Sequence, residues 1–124
     1  MKQNKKKKTR TLAPCPSRPN CVSSKSTHPK HAIKPFSFHS DPETALKGLV
    51  SILEDMAQVT IVTATRSYIH AECRSLVFRF VDDLEFLLDK KKNLIHVRSA
   101  ARIGYTDFGV NRRRVEKIRK AFQS

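Results

Sequence analysis

The sequence contains no tryptophan and only three glycines, and aromatic residues make up 7% of its 124 positions. Phosphate-cradling loops need glycines at fixed spacing, and none of the three stands in such a motif. The few aromatic residues form no stacking pattern of the kind that readers of single-stranded nucleic acid use. No hydrophobic run approaches the roughly 20 residues of a membrane-spanning helix. A P-loop and a transmembrane segment are therefore excluded.

Acidic side chains are also scarce, since 11 Asp and Glu stand against 25 Lys and Arg, for a net charge of +14. Residues 1–10 contain six of these basic residues and no acid. A concentration of positive charge attracts polyanions of any kind. The run Lys5, Lys6, Lys7 and Lys8 predicts non-specific contact with nucleic acid or an anionic membrane surface, unless it is only a solvated tail.

Residues 1–41 are rich in Pro, Ser, Lys and His and show neither helical nor strand periodicity. They predict an extended, basic arm, followed by a single domain over residues 42–124. The basic start is not followed by the apolar segment of a signal peptide. The sequence as written therefore predicts a cytoplasmic protein, or an exported one if the true start lies upstream.

Two cysteines in the arm belong to the motif CPSRPNC, at positions 15 and 21. Cys15 and Cys21 would form a disulfide in an oxidising compartment and remain free thiols in a reducing one. Their spacing, and that of His28 and His31, does not match a zinc finger, so no metal site is predicted. Cys73 alternates with apolar residues and is predicted to be buried.

The remaining sequence predicts an α+β domain. Asp41, Pro42 and Glu43 form a helix start, and apolar residues at helical spacing continue to about residue 57. Strands are predicted at 59–64, 67–75, 81–89 and 94–101, and a last helix at about 109–122. Residues 76–80 fit either a strand continuation or a connector. The result is a four-stranded antiparallel sheet with two helices packed on one face.

A short additional edge strand within residues 33–38 would change the order of elements. Pro35 lacks a backbone N–H and is tolerated only at an edge. With this strand the order becomes β-α-β-β-β-β-α, which matches a TATA-binding-protein-like topology. Topology alone carries no function.

Strand and helix periodicity place four polar side chains between the sheet and the helices. These are Asp82, Ser99, Asn111 and Arg114. A buried arginine needs a carboxylate partner, and Asp82 is the one expected for Arg114. The four residues predict a structural polar network that fixes the last helix on the sheet.

The opposite parity collects charged residues on the other sheet face, namely His70, Glu72, Arg74, Asp83, Glu85, His96 and Arg98. They predict either a solvated face of cross-strand ion pairs or a polar surface for an anionic or amide-bearing ligand, with Arg98 and Arg102 contacting the anion. The ligand-binding candidates are Glu72, His96, Arg98, Ser99, Arg102 and Asp107. No nucleophile accompanies the acid–base groups Glu72, Asp83 and His96, so no catalytic residue is assigned.

Three stretches resemble the DUF1499 family, a family of proteins of unknown function. They are CPSRPNCVSS at 15–24, FRFVDDLEF at 78–86 and HVRSAARIGYTDFGVNRRRVEKIR at 96–119. In that family the last stretch commonly reads RSASR followed by GxSDxGVNRxR, so Ala101 and Thr106 here replace serines. Family members are often exported, as bacterial lipoproteins or chloroplast lumen proteins. The resemblance therefore favours a disulfide between Cys15 and Cys21.

These observations favour a non-enzymatic binding or assembly module with an arginine-bearing polar surface and no cofactor. Its expected partner is a protein or an anionic ligand. The alternative is polyanion binding, through the basic tail and the exposed face of the last helix. That face carries Arg112, Arg113, Lys117, Arg119 and Lys120. A small enzyme is the least favoured function, because the sequence contains no recognised catalytic motif.

Overall fold

The computed structural model describes residues 10–123, which form an antiparallel sheet and two helices. In chain order the elements are β1 (Cys21–Ser23), β2 (Phe36–Ser37), α1 (Pro42–Glu54), β3 (Val59–Ala64), β4 (Tyr68–Arg74), β5 (Val81–Asp89), β6 (Leu94–Ala101) and α2 (Val110–Gln123). The predicted α+β class is confirmed.

The sheet has two more strands than the four predicted from the sequence. Strands β3 to β6 form the expected antiparallel meander, and both short N-terminal strands pair with β6. Cys21 lies opposite Ala100, and Phe36 lies opposite Ile95. Strand β2 lies within residues 33–38, where an additional edge strand was considered, whereas β1 was not predicted. The TATA-binding-protein-like topology is not confirmed, because two strands precede α1.

Helix α1 begins where the capping residues predict. The Asp41 side chain accepts a hydrogen bond from the Thr44 backbone N–H at 3.1 Å, and Pro42 occupies the first turn. Leu49 and Leu53 lie on the buried face of the helix. The helix ends at Glu54, before the predicted residue 57, because the chain must reverse into β3 and Gln58 adopts a positive φ of 66°.

One apolar core lies between the sheet and the two helices. It contains Leu49 of α1 and Val115 of α2, together with Phe86 and Val97 of the central strands. Phe36 of β2 is fully buried and packs edge-on against Phe86, with 5.6 Å between ring centroids. The short strand β2 is therefore stabilised by its core side chain as well as by its pairing with β6. Both helices cover one sheet face, and the other face remains for the polar residues.

Candidate functional site

The sheet face opposite the helices carries charged side chains on β4, β5 and β6. In the strand register, Glu72 lies opposite Asp83, and Glu85 lies opposite both His70 and Arg98 on its two sides. Opposite charges on neighbouring strands attract one another across the sheet. We call this surface the polar face.

Arg102, which follows β6, is held by two carboxylates of the polar face. Its Nε lies 2.7 Å from Oδ2 of Asp83, and its Nη2 lies 2.7 Å from Oε2 of Glu72. His70 Nε2 lies 2.8 Å from the other Asp83 oxygen. The hydrogen bonds from Arg102 and then His70 hold the pKa of Asp83 below its usual value, although partial burial opposes this. Two of the three guanidinium nitrogens of Arg102, Nε and Nη2, therefore contact carboxylates.

Arg98 is the more buried arginine of the polar face. Its Nη1 lies 3.8 Å from Oε1 of Glu85, and its Nη2 donates to the Pro14 carbonyl at 3.2 Å. Its buried Nε has no hydrogen-bond partner within residues 10–123. Tyr68 donates its hydroxyl proton to the same Glu85. Burial first, and then the Glu85 carboxylate, raise the pKa of Tyr68 to about 12.

Residues 10–15 run across this face and are named the N-terminal strap. The Arg10 guanidinium lies 3.8 Å above the Tyr68 ring on β4, and Leu12 is buried. At its other end the strap is joined to β1 by a disulfide between Cys15 and Cys21. The polar face is therefore partly covered by the chain's own N-terminal segment instead of being fully open, which alternation along the strands could not predict.

His96, a ligand-binding candidate, is used for local packing. Its Nδ1 lies 2.9 Å from the Ser24 hydroxyl, just after β1, and its Nε2 lies 4.0 Å from Asp89. Burial, followed by the nearby Lys25, lowers the pKa of His96 and so favours the neutral imidazole. Of the other two acid–base candidates, Asp83 lies on the neighbouring strand β5 and Glu72 lies two strands away on β4.

The four residues predicted to form a polar network between sheet and helix lie together. Ser99 donates to Asn111 Oδ1 at 2.6 Å, and Arg114 donates to the same oxygen at 2.7 Å. Arg114 Nη2 also lies 2.9 Å from Asp82 Oδ2. Ser99 is fully buried on the helix side of β6, so it shares no surface with its neighbour Arg98. Each of the four side chains therefore forms a hydrogen bond or an ion pair with another member of the network.

Asp107 caps the start of α2. One carboxylate oxygen accepts from the Gly109 N–H at 2.8 Å, and the other accepts from the Asn111 side chain at 2.7 Å. A carboxylate at a helix N-terminus is favoured by the helix dipole as well as by these donors. Of the six ligand-binding candidates, Glu72 and Arg102 are in direct contact, while Asp107 and Ser99 both contact Asn111.

A cluster of exposed apolar side chains was not anticipated as a functional site. Large hydrophobic residues that are at least half exposed occur in two loops, at Leu76, Val77, Phe78, Phe80, Ile103, Tyr105 and Phe108. The loops leave the same end of the sheet, because the Arg102 N–H donates to the Val81 carbonyl at 3.2 Å. We call residues 75–80 and 102–109 the apolar loop end. The run LVFRF at 76–80, which the sequence left as either a strand continuation or a connector, was the available sequence signal.

The basic face predicted for α2 is partly occupied. Arg112 donates to the Ala32 carbonyl at 2.9 Å, and Arg119 donates to the Pro35 carbonyl at 2.9 Å. These two arginines attach the helix to the segment between β1 and β2. The exposed basic residues of the helix are Arg113, Lys117 and Lys120. The predicted contact residues Lys5, Lys6, Lys7 and Lys8 lie outside the described residues.

Comparison with known families gives one match. The model of a family described as a protein of unknown function (DUF1499) matches residues 11–122. The chain belongs to the DUF1499 family. No curated protein and no solved structure shows significant similarity to it.

The three stretches that carry the resemblance meet at one end of this DUF1499 domain. Asn20, from the cysteine motif, donates its side-chain amide to the Gly104 carbonyl at 2.7 Å and accepts from the Ala101 N–H at 3.0 Å. Asp83, from the second stretch, holds Arg102. Residue 101 makes its contact through the backbone, so alanine serves there as well as serine.

Residues 10–123 of the DUF1499 domain offer neither a metal site nor a membrane-spanning helix. Cys15 and Cys21 are bonded to one another, so neither sulfur is a thiolate ligand. This part of the chain contains no cluster of three or more side chains able to hold a metal ion. It also contains no helix with the length and hydrophobicity to cross a bilayer.

Proposed function

We propose that this protein is a non-enzymatic binding or assembly module whose contact surface is the apolar loop end, flanked by arginines of the polar face. The observation that carries the proposal is the exposure of the loop side chains. Val77, Phe78 and Phe108 are 79%, 73% and 81% exposed. Large contiguous apolar surface is costly in water and marks interaction sites in stable domains.

The arginines beside the loops support the same role. Arg74 and Arg102 lie at this end of the polar face, and their side chains are about two-fifths exposed although they pair with Glu72. Arginine combines an apolar stem with a planar charged group, and it is enriched in protein and phosphate contacts. The surface would thus offer an apolar centre with a charged rim.

The pairing of the ionisable groups supports a binding role over catalysis. Asp83 is engaged by Arg102 and His70, and His96 is engaged by Ser24. A general acid or base needs an accessible partner atom in a substrate at hydrogen-bond distance. These groups instead stabilise the sheet and the segment beside β1.

Site-specific photo-crosslinking tests the proposal. A photoreactive residue at Phe78 should give one dominant adduct in cells of the source organism. The matched control is the same residue at Val62, which is also exposed at 51% but lies on β3, away from the loops. Equal adducts from both positions, or none from Phe78, would contradict a contact role for the loops.

Polyanion binding is the competing proposal. It is supported by the net charge of +14 and by the exposed residues Arg113, Lys117 and Lys120 of α2. Salt titration of nucleic-acid affinity, with and without residues 1–10, separates the cases. Affinity that survives removal of the tail and falls after Lys117→Glu/Lys120→Glu would favour a folded nucleic-acid surface. Affinity lost with the tail alone would reduce it to non-specific attraction.

A further inference from the structure

The apolar loop end combines large apolar side chains with positive charge. Arg79 lies between Phe78 and Phe80, whose rings stack with centroids 5.5 Å apart. Within residues 10–123, Arg79 has no ion-pair partner. Aromatic and aliphatic side chains next to basic ones are typical of protein segments that enter the interface of an anionic bilayer.

The carboxylates at this end of the sheet offset only part of that positive charge. Those nearest to the two loops are Glu72, Asp82, Asp83 and Asp107. The first three pair with arginines, and Asp107 caps α2 through both of its oxygens. The exposed arginines Arg18 and Arg113 lie on segments joined to the same end, since the Asp107 N–H donates to the Pro19 carbonyl at 3.3 Å. The surroundings of the loops are therefore positively charged.

We propose, resting on the binding role proposed above, that the apolar loop end docks on an anionic lipid bilayer. Phe78, Phe80 and Phe108 enter the boundary between headgroups and acyl chains. Arg79 and Arg113 contact lipid phosphates. The phenol of Tyr105 lies at headgroup level, where an apolar ring with a polar tip is favoured.

Two features favour a bilayer over a protein surface. The apolar residues project from two separate loops, and a fluid interface accepts any spacing between them, whereas a protein partner needs a pocket for each. The net charge of +14 draws the chain to an anionic surface from a distance and disfavours a second copy of the same chain. An acidic protein remains as an outcome of the test.

The first measurement uses tryptophan fluorescence of the full chain. Because the sequence contains no tryptophan, Phe78→Trp introduces a single reporter. With vesicles of phosphatidylcholine and phosphatidylserine in equal parts, its emission should shift to the blue and be quenched by brominated acyl chains. Val62→Trp, a reporter at an exposed position of β3, should show neither change. Circular dichroism verifies that both variants fold.

The second measurement compares partition onto the same vesicles. Phe78→Ser/Phe80→Ser should lower the partition coefficient by about tenfold or more, because two apolar rings no longer leave water. Val62→Ser is its control and should bind like the parent. Arg79→Glu should lower partition on the order of tenfold. The same charge change at Lys91, in the β5–β6 turn at the opposite end of the sheet, should lower it by less than about threefold.

Three results would overturn the lipid assignment. Vesicle binding without an emission shift, and insensitive to the Phe→Ser changes, would mean that the basic segment alone attracts the protein. Absence of vesicle binding, with a specific protein adduct from Phe78, would make the occupant a protein and leave the binding role intact. Absence of both would remove the binding role as well.

Discussion

Arg114 Nη2 lies 2.9 Å from Asp82 Oδ2, so an ion pair joins the last helix to β5 across the boundary between helix and sheet. The two side chains are only 15% and 13% exposed. Arg114 also donates to Asn111 at 2.7 Å, which places the guanidinium in a hydrogen-bonded group. The pair is well shielded from water, so removal of either partner leaves the other with an uncompensated charge.

Arg114→Leu should lower the free energy of unfolding by about 2–4 kcal/mol, because the Asp82 carboxylate is then left without its partner. Urea unfolding of Arg114→Leu, Asp82→Asn and the double variant measures the coupling, and the double variant should cost less than the sum. Lys47→Ala is the control: it breaks an exposed pair with Glu43 at 3.4 Å. Its cost should be about 0.5 kcal/mol or less. If Arg114→Leu and Lys47→Ala lowered the free energy of unfolding equally, the Arg114–Asp82 pair would not be shielded from water.

Removal of the disulfide should release the N-terminal strap. Cys15→Ser/Cys21→Ser should destabilise the protein by about 2 kcal/mol, as expected for closing a short loop. Thermal unfolding with and without reductant measures the effect, and the double variant should be insensitive to reductant. Reductant that leaves the parent unchanged would argue against the bond. Cys73 should resist alkylation in the native state, because burial raises the pKa of its thiol.

Tyr68 should make stability decrease at high pH. Its pKa is raised from 10.0 to about 12 in the folded protein, so the folded state retains the phenolic proton longer than the unfolded chain does. The resulting stabilisation is complete below pH 10 and is lost as the pH rises towards 12. In Tyr105→Phe, phenolate absorbance reports Tyr68 alone. Ionisation of Tyr68 near pH 10, or the same pH dependence of stability in Tyr68→Phe, would contradict its contact with Glu85.

The contact between Arg102 and Asp83 should contribute to stability only above the pH at which Asp83 protonates. Because the pKa of Asp83 is lowered from 3.8 in the folded state, this contribution is present above about pH 4 and is lost as the pH falls below it. In Arg102→Gln, the free energy of unfolding should therefore fall less steeply as the pH is lowered below about 4. The change should remain below about 1 kcal/mol, because both groups are partly solvated. Arg66→Gln, an exposed arginine before β4, should leave the curve unchanged.

Regular elements were predictable where a period extends over several residues. The β-branched run Val59–Ala64 and the segments Val81–Asp89 and Leu94–Ala101 were predicted as strands with their observed bounds. Strand β1 was not predicted, because three residues are too few to show alternation, and β2 was offered only as an additional edge strand within residues 33–38. They are strands because β6 offers unpaired backbone groups and the core accepts Phe36.

On the polar face, the side of the sheet was predictable for each residue but its partner was not. Strand parity placed Glu72, Asp83 and Arg98 on one side of the sheet. It carried no information that Arg102 lies across two carboxylates, or that Arg10 lies over Tyr68, since these contacts join distant segments. The exposure of the LVFRF loop was not predictable for the same reason, because it depends on which distant segments pack against the loop.

The two short strands on β6 also determine where the sheet can grow. Strands β1 and β2 cover one edge of the sheet by pairing with β6. The unpaired edge strand within residues 10–123 is β3, a six-residue run of small and β-branched side chains without a charge. An unpaired edge strand of this kind is a template for edge-to-edge polymerisation of identical chains. The register shift between Ile61 and Thr63 interrupts its ladder at mid-length. That irregularity therefore acts against fibril formation, and a change that straightened β3 would expose the chain to it.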